Sequence, residues 1–283
     1  MATTFEHLVQ MALEEDIGQE DITTTRTVPA DGRCRARLVA KESGVLSGIE
    51  VFRLVFDAMT ADALDWDSLS DSDRFSRGDD IATFSGNTRG VLTGERTAMN
   101  FVQHLSGVAT LTAKYVTAVE GLNVVICDTR KTTPLLRRLE KRAVVHGGGK
   151  NHRHTLFNGI VIKENHIAAA GGIVQAVRSA TGGAHHLMKI EVEVTNLKEF
   201  EEALEAGADA IMLDNMSLEE MRKAVKKARG NRRAHTRVVI EASGNATLDR
   251  VRTMAETGVN VISVGALTHS APCVDMSLLV ENL

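Results

Sequence analysis

Charged and small polar residues fall in short runs, each directly after an apolar stretch. Asp128-Thr129-Arg130-Lys131 follows residues 124–127, and Lys163-Glu164-Asn165-His166 follows residues 160–162. Glu191 and Glu193 alternate with valines along residues 190–194, and Asp214-Asn215 follows residues 210–213. Glu241-Ala242-Ser243-Gly244-Asn245 overlaps the end of a stretch at 238–240, and Gly265-Ala266 follows residues 261–264. The early runs are basic, which suits a small molecule with several negative charges. The carboxylates Glu193 and Asp214 suit a hard cation such as Mg2+, shared with a ligand phosphate. The late runs are rich in Gly and Ser, whose backbone N–H groups can approach a phosphate closely. A further basic segment, His146-Gly147-Gly148-Gly149-Lys150-Asn151-His152-Arg153, holds three consecutive glycines, which suggests backbone packed close to a ligand or another chain.

These runs need a scaffold that gathers them. Apolar stretches at 124–127, 160–162, 190–194, 210–213, 238–240 and 261–264 alternate with helix-like segments at 132–145, 172–181, 197–206, 218–229 and 248–257. Buried strands alternating with helices predict βα units and a parallel sheet. In such folds the active site lies at the carboxyl ends of the strands, where every polar run above falls. The pattern alone leaves an incomplete α/β barrel and an open doubly wound sheet both standing. Residues 1 to about 92 read instead as α+β. A short helix is followed by extended runs at 33–40 and 44–46, a helix at 50–59, and extended runs at 81–85 and 90–92. A long helix over 94–120 follows, with a break expected at Ser106-Gly107.

Composition excludes several classes. Lys and Arg number 33 against 37 Asp and Glu, a formal charge of −4, which argues against a broad nucleic-acid footprint. Cys34, Cys127 and Cys273 show no metal or disulfide spacing. The first 15 residues lack the basic start and apolar run of a signal peptide, and no apolar stretch approaches the roughly 20 residues of a membrane helix. A cytoplasmic protein with no membrane partner is expected. His104, His185, His186 and His235 show no partner spacing, and Arg232, Arg233 and Arg237 read as a solvated loop. Individually, Arg130, Lys163 or Glu193 could be an ordinary surface charge. Ligand-suited residues after every strand together outweigh that reading.

The runs quoted above, together with Asp128-Thr129-Arg130-Lys131-Thr132-Thr133-Pro134, Gly94-Glu95-Arg96-Thr97-Ala98-Met99-Asn100 and Glu15-Asp16-Ile17-Gly18, resemble the quinolinate phosphoribosyltransferases in order along nearly the whole chain. The resemblance implies an N-terminal α/β sandwich, residues 1–106 joined by the tail 271–283, and an incomplete, seven-stranded parallel α/β barrel at 107–270. It implies transfer of phosphoribose from phosphoribosyl pyrophosphate to quinolinate with decarboxylation. The products are nicotinate mononucleotide, pyrophosphate and CO2, a step of NAD biosynthesis. Mg2+ accompanies the donor, and no prosthetic group is implied. By similarity Arg130, His152, Arg153 and Lys163 hold the quinolinate carboxylates, with Thr129 beside them. Lys131 lies near carboxylate and pyrophosphate, and Glu193 and Asp214 bind ribose and Mg2+. Ser243, Gly244, Asn245, Val264, Gly265, Ala266 and His269 cradle phosphate. A homodimer is implied in which Arg96 reaches the neighbour's site, with a hexamer as a further assembly. Leu135 stands where the family commonly has Gly, Arg142 where it has Tyr, and Glu20 where it has Gly.

Other chemistries remain open at this stage. A Schiff-base lyase would use Lys163 as nucleophile, a non-catalytic relative would sense pyridine carboxylates, and a transferase of the same fold would act on another base.

Overall fold

The computed structural model describes residues 4–60, 64–230 and 238–283. Arg232, Arg233, His235 and Arg237 lie outside the described residues. In chain order the elements are α1 (Phe5–Ile17), α2 (Ile22–Thr27), β1 (Arg33–Ala40), β2 (Gly44–Val45), α3 (Ile49–Met59), β3 (Leu64–Ser68), β4 (Arg74–Phe75), β5 (Asp80–Asn87) and α4 (Thr88–Ala118). There follow β6 (Val125–Cys127), α5 (Arg137–His146), β7 (Ile160–Ile162), α6 (Glu164–Ala170), α7 (Ile173–Gly183), β8 (Ile190–Val194), α8 (Leu197–Ala206), β9 (Ala210–Asp214) and α9 (Leu218–Gly230). The chain ends with β10 (Val239–Ser243), α10 (Leu248–Ala255), β11 (Val261–Ser263), α11 (Ala266–His269) and β12 (Met276–Asn282).

Two compact units emerge. The first comprises Met1–Ala113, Thr133–Gly148 and Ser270–Leu283, so the C-terminal tail and α5 both belong to it. Its main sheet is antiparallel in the order β12-β1-β5-β3. Strand β1 shows why: Cys34, Ala36 and Leu38 alternate inward while Arg35 and Arg37 point out, the two-residue period of a half-buried strand. Helix α3 buries Val51, Phe52, Val55 and Phe56 on one face, and the Phe56 and Phe84 rings meet at 4.6 Å.

Three local expectations are corrected here. Residues 90–92 are not extended; α4 already begins at Thr88. Ser106-Gly107 does not break that helix. A side chain at Gly107 would collide with the Pro272 carbonyl, so the glycine serves a close approach by the tail. Gly147 likewise lies against the Ala109 carbonyl, which accounts for the first glycine of the triple run. Helix α5 starts only at Arg137, because Pro134 intervenes and Leu135 adopts a left-handed backbone with φ 67°.

The second unit comprises Lys114–Thr132 and Gly149–His269 and holds a six-stranded parallel sheet. The order is β6-β11-β10-β9-β8-β7. Each successive strand from β7 to β11 adds on the same side, and β11 returns to pair with β6. A doubly wound sheet reverses direction at a switch point; this order does not, so the architecture is an incomplete α/β barrel, open between β6 and β7. The described residues contain six barrel strands rather than seven, and Cys127 and Lys150 add an isolated parallel bridge beside β6. No helix among the described residues is long and apolar enough to cross a membrane.

Candidate active site

Parallel register brings all strand ends to one side. Glu193 pairs across to Met212 and Asp214 to Ser243, so the polar ends of β8, β9 and β10 stand next to one another. They border a cleft of about 600 Å³. Thr129, Arg130 and Lys131 line it from beyond β6, His152 and Arg153 from the segment before β7, and Lys163 from the end of β7. Glu193, Asp214, Ser243, Gly244 and Asn245 line it as well. Val264, Gly265, Ala266 and His269 do not line it. The segment adjoins it through Gly265 and Thr268: Thr268 Oγ1 donates to the Lys131 carbonyl at 2.7 Å, and a side chain on Gly265 would meet Lys131 and His269 at 3.1 Å. Arg96 belongs to the other compact unit.

The basic side of the cleft is crowded. Burial, reinforced by the positive charge of Arg130, presses the Arg153 guanidinium below its ordinary range, although Glu191 opposes this. A guanidinium stays charged regardless, so two such groups side by side favour an anion between them. Arg153 Nη1 donates to the Gly159 carbonyl at 2.7 Å, which holds its head in place. Lys163 Nζ contacts Glu193 Oε2 at 2.5 Å. The backbone N–H of Lys163 donates to His166 Nδ1 at 3.0 Å, anchoring the start of α6. Lys163 keeps 49% of its side-chain surface exposed. A Schiff-base lysine is activated by desolvation or a cationic neighbour, and Lys163 has neither in its closest contact.

The far side is built from left-handed turns. Asn215 and Asn245 have φ 52° and 48°, and Gly244 has φ 86°. Asn245 Nδ2 donates to Asn215 Oδ1 at 3.2 Å, and Asn215 Nδ2 donates to Asp214 Oδ2 at 3.0 Å. Asn215 N–H also donates to the Ser243 carbonyl at 3.0 Å. This mesh fixes a concave run of backbone after β9 and β10, a shape suited to phosphate.

Three buried carboxylates were assigned no part by the sequence reading: Glu241 lines the cleft, while Glu191 and Asp128 bond to His152. Glu191 and Glu241 sit mid-strand at 7% and 4% exposure, and Asp128 is fully buried. Glutamates flanked by valine or isoleucine in a parallel strand are the signal that marks them, because a charge there must face inward to a partner. Burial, then the Glu191 charge, push Glu241 up from 4.5 to about 8. His152, Glu191 and Glu241 place their ligand-type atoms within 4.8 Å of one another. His152 Nε2 is, however, hydrogen-bonded to Glu191 rather than free for an ion. Glu193 and Asp214 also line the cleft and offer hard oxygens for a cation, Glu193 while paired with Lys163.

The raised acid makes a stability prediction. Folded Glu241 holds its proton up to about pH 8, whereas an unfolded glutamate loses it near 4.5. The folded state therefore binds more protons across that window, and stability must fall as pH rises through it, by on the order of 1 kcal/mol per unit. Glu241→Gln should flatten this decline. Thermal melts from pH 5 to 9 would show the variant gaining on the parent toward alkaline pH; parallel curves would disprove the buried proton.

Known proteins are similar throughout. The sequence profile described as "Quinolinate phosphoribosyl transferase, N-terminal domain" matches residues 21–106, and that of the C-terminal domain matches residues 108–279. A nicotinate-nucleotide pyrophosphorylase (carboxylating) of Mycobacterium leprae is 40% identical over 275 residues, covering 95% of this chain and 95% of that protein. A quinolinate phosphoribosyltransferase (decarboxylating) of Nicotiana tabacum is 36% identical over 295 residues, covering 97% and 82%. The crystal structure of NadC from Streptococcus pyogenes superposes with TM-score 0.92 at 41% identity, over 99% of this chain and 97% of that one. With both domain profiles matched and relatives aligned end to end, the chain belongs to the quinolinate phosphoribosyltransferase family.

Proposed function

We propose that this cleft transfers phosphoribose from phosphoribosyl pyrophosphate to quinolinate and releases CO2, giving nicotinate mononucleotide and pyrophosphate. One observation supports the reading above all: a cluster of Arg130, Arg153 and Lys163 shares a single cleft with the Asp214 and Ser243-Gly244-Asn245 turns. A pyridine dicarboxylate needs the first, and a sugar phosphate needs the second.

In the reaction the pyridine nitrogen bonds to ribose C1 as the C1–oxygen bond to pyrophosphate breaks. Positive charge grows on the sugar. Glu193 and Asp214 would lie near it and favour that charge, and Lys131 would meet the leaving pyrophosphate. Arg130, Arg153 and Lys163 would fix the dicarboxylate so that its nitrogen faces C1, which removes much of the orientation cost. Once the nitrogen is alkylated it carries positive charge. The adjacent carboxylate then leaves as CO2, because the electron pair left on the ring carbon is stabilised by that nitrogen until a proton replaces it. Glu193 and Asp214 offer the hard oxygens that Mg2+ requires, and the ion would supply charge neutralisation at the pyrophosphate. A homodimer in which Arg96 completes the neighbour's cleft, and a cytoplasmic site of action, belong to the same proposal.

The test is to incubate the protein with quinolinate, phosphoribosyl pyrophosphate and Mg2+ and follow nicotinate mononucleotide and CO2. Product with quinolinate and none with nicotinate is expected. Faster turnover of nicotinate would overturn the dicarboxylate assignment.

A further inference from the structure

Both ring nitrogens of His152 have partners inside the protein. The backbone N–H of Arg153 donates to His152 Nδ1 at 2.8 Å, so Nδ1 presents a lone pair and the ring proton resides on Nε2. Nε2 lies 3.0 Å from Glu191 Oε2 and 3.8 Å from Glu241 Oε2. The His152 backbone is held as well, since its N–H donates to Asp128 Oδ1 at 2.8 Å. The segment before β7 is thereby tied to the exit of β6 through Asp128 and to β8 through Glu191. Buried carboxylates placed under an imidazole in this way fix its tautomer and its plane.

We infer that Glu191 is a positioning residue for the substrate dicarboxylate: acting through His152, it locks the Arg153 backbone and so aims that guanidinium into the cleft, while His152 gives no nitrogen to the substrate. This deepens the proposed function and rests on its assignment of Arg153. The physical need is plain. Arg153 stands beside the like charge of Arg130, and an arginine side chain has roughly 2 kcal/mol of rotamer entropy with which to turn away. Fixing φ and ψ where the side chain leaves the backbone limits that escape. The lock is built from the protein's own groups, so it operates before any ligand arrives.

Two measurements test it. In steady-state assays Glu191→Ala should raise the KM for quinolinate roughly tenfold, with kcat and the KM for phosphoribosyl pyrophosphate within about threefold of the parent. Glu191→Gln, whose amide oxygen can still accept from Nε2–H, should restore the quinolinate KM. An alanine variant with an unchanged quinolinate KM overturns the inference, and so does a glutamine variant as impaired as alanine, which would assign the effect to the Glu191 charge alone. Should Glu191→Ala not fold, 15N-histidine NMR of the unmodified protein decides the matter. The His152 signals, identified by their loss in His152→Gln, should report a neutral ring protonated at Nε2, unchanged by quinolinate. A doubly protonated ring, or a shift of either nitrogen on binding, overturns it. Failure of the unmodified protein to turn over quinolinate would strike the functional reading, while the NMR result in free protein would still judge the lock.

Discussion

Arg153→Ala and Lys163→Ala are each expected to lower kcat/KM for quinolinate by a factor on the order of 10³ while leaving the fold intact. Hydrogen bonds to charged groups contribute about 1.5–3 kcal/mol each, and a guanidinium can make two to one carboxylate. Loss of about 4 kcal/mol corresponds to that factor. Lys163 adds a second effect. It is ion-paired with Glu193, so its removal leaves an uncompensated carboxylate in a cleft that must admit a dianion. Lys163→Ala with Glu193→Gln should therefore recover part of the quinolinate affinity, measured by titration, that Lys163→Ala loses. The fold should persist because Lys163 is half exposed and Arg153 contributes one head-group bond to a backbone carbonyl. Circular dichroism and melting temperature check this. Near-parental kcat/KM in both variants would place the dicarboxylate elsewhere.

What the sequence made legible followed from short-range pattern. The alternation in β1 and the apolar runs of the barrel strands are local and appear close to where the pattern put them, although residues 241–243 and Asp214, expected beyond their strands, lie within β10 and β9. Long-range features were opaque to local pattern; it was the resemblance, not the tail's own residues, that joined 271–283 to the first domain. Strand β12 pairs Asn282 with Cys34, and nothing local in the tail announces that partner. Gly107 looked like a helix break because its role, a close pass of the Pro272 carbonyl, lies in another part of the chain. The same limit applies in the site. The exposed charges of the cleft were readable from their positions after strands. The buried carboxylates Asp128, Glu191 and Glu241 act on His152 and on one another, and those contacts exist only once the barrel brings β6, β8 and β10 together.

Gly244→Ala should act on the opposite wall, weakening the sugar-phosphate seat and sparing the dicarboxylate seat. Its φ of 86° suits glycine, and an alanine there costs about 1 kcal/mol before any contact is considered. The contact is then prohibitive, since a side-chain carbon at Gly244 would collide with the Asn215 amide. That amide is the middle link from Asn245 to Asp214, so relief of the clash must disturb the turn after β9, the turn after β10, or both. We expect a loss of roughly 2–3 kcal/mol in stability and a rise of about 10² in the KM for phosphoribosyl pyrophosphate, with quinolinate affinity changed little. Asn215→Gly removes the obstructing amide and tolerates the left-handed backbone there. In the Gly244→Ala background it should return the part of the stability loss that comes from collision, leaving the part that comes from φ. A double-mutant cycle by thermal melts separates the two, because sites in contact couple and distant ones add. If Gly244→Ala binds phosphoribosyl pyrophosphate as the parent does, the backbone after β10 is not the phosphate seat, and the division of the cleft into a cationic wall and a glycine-lined wall fails with it.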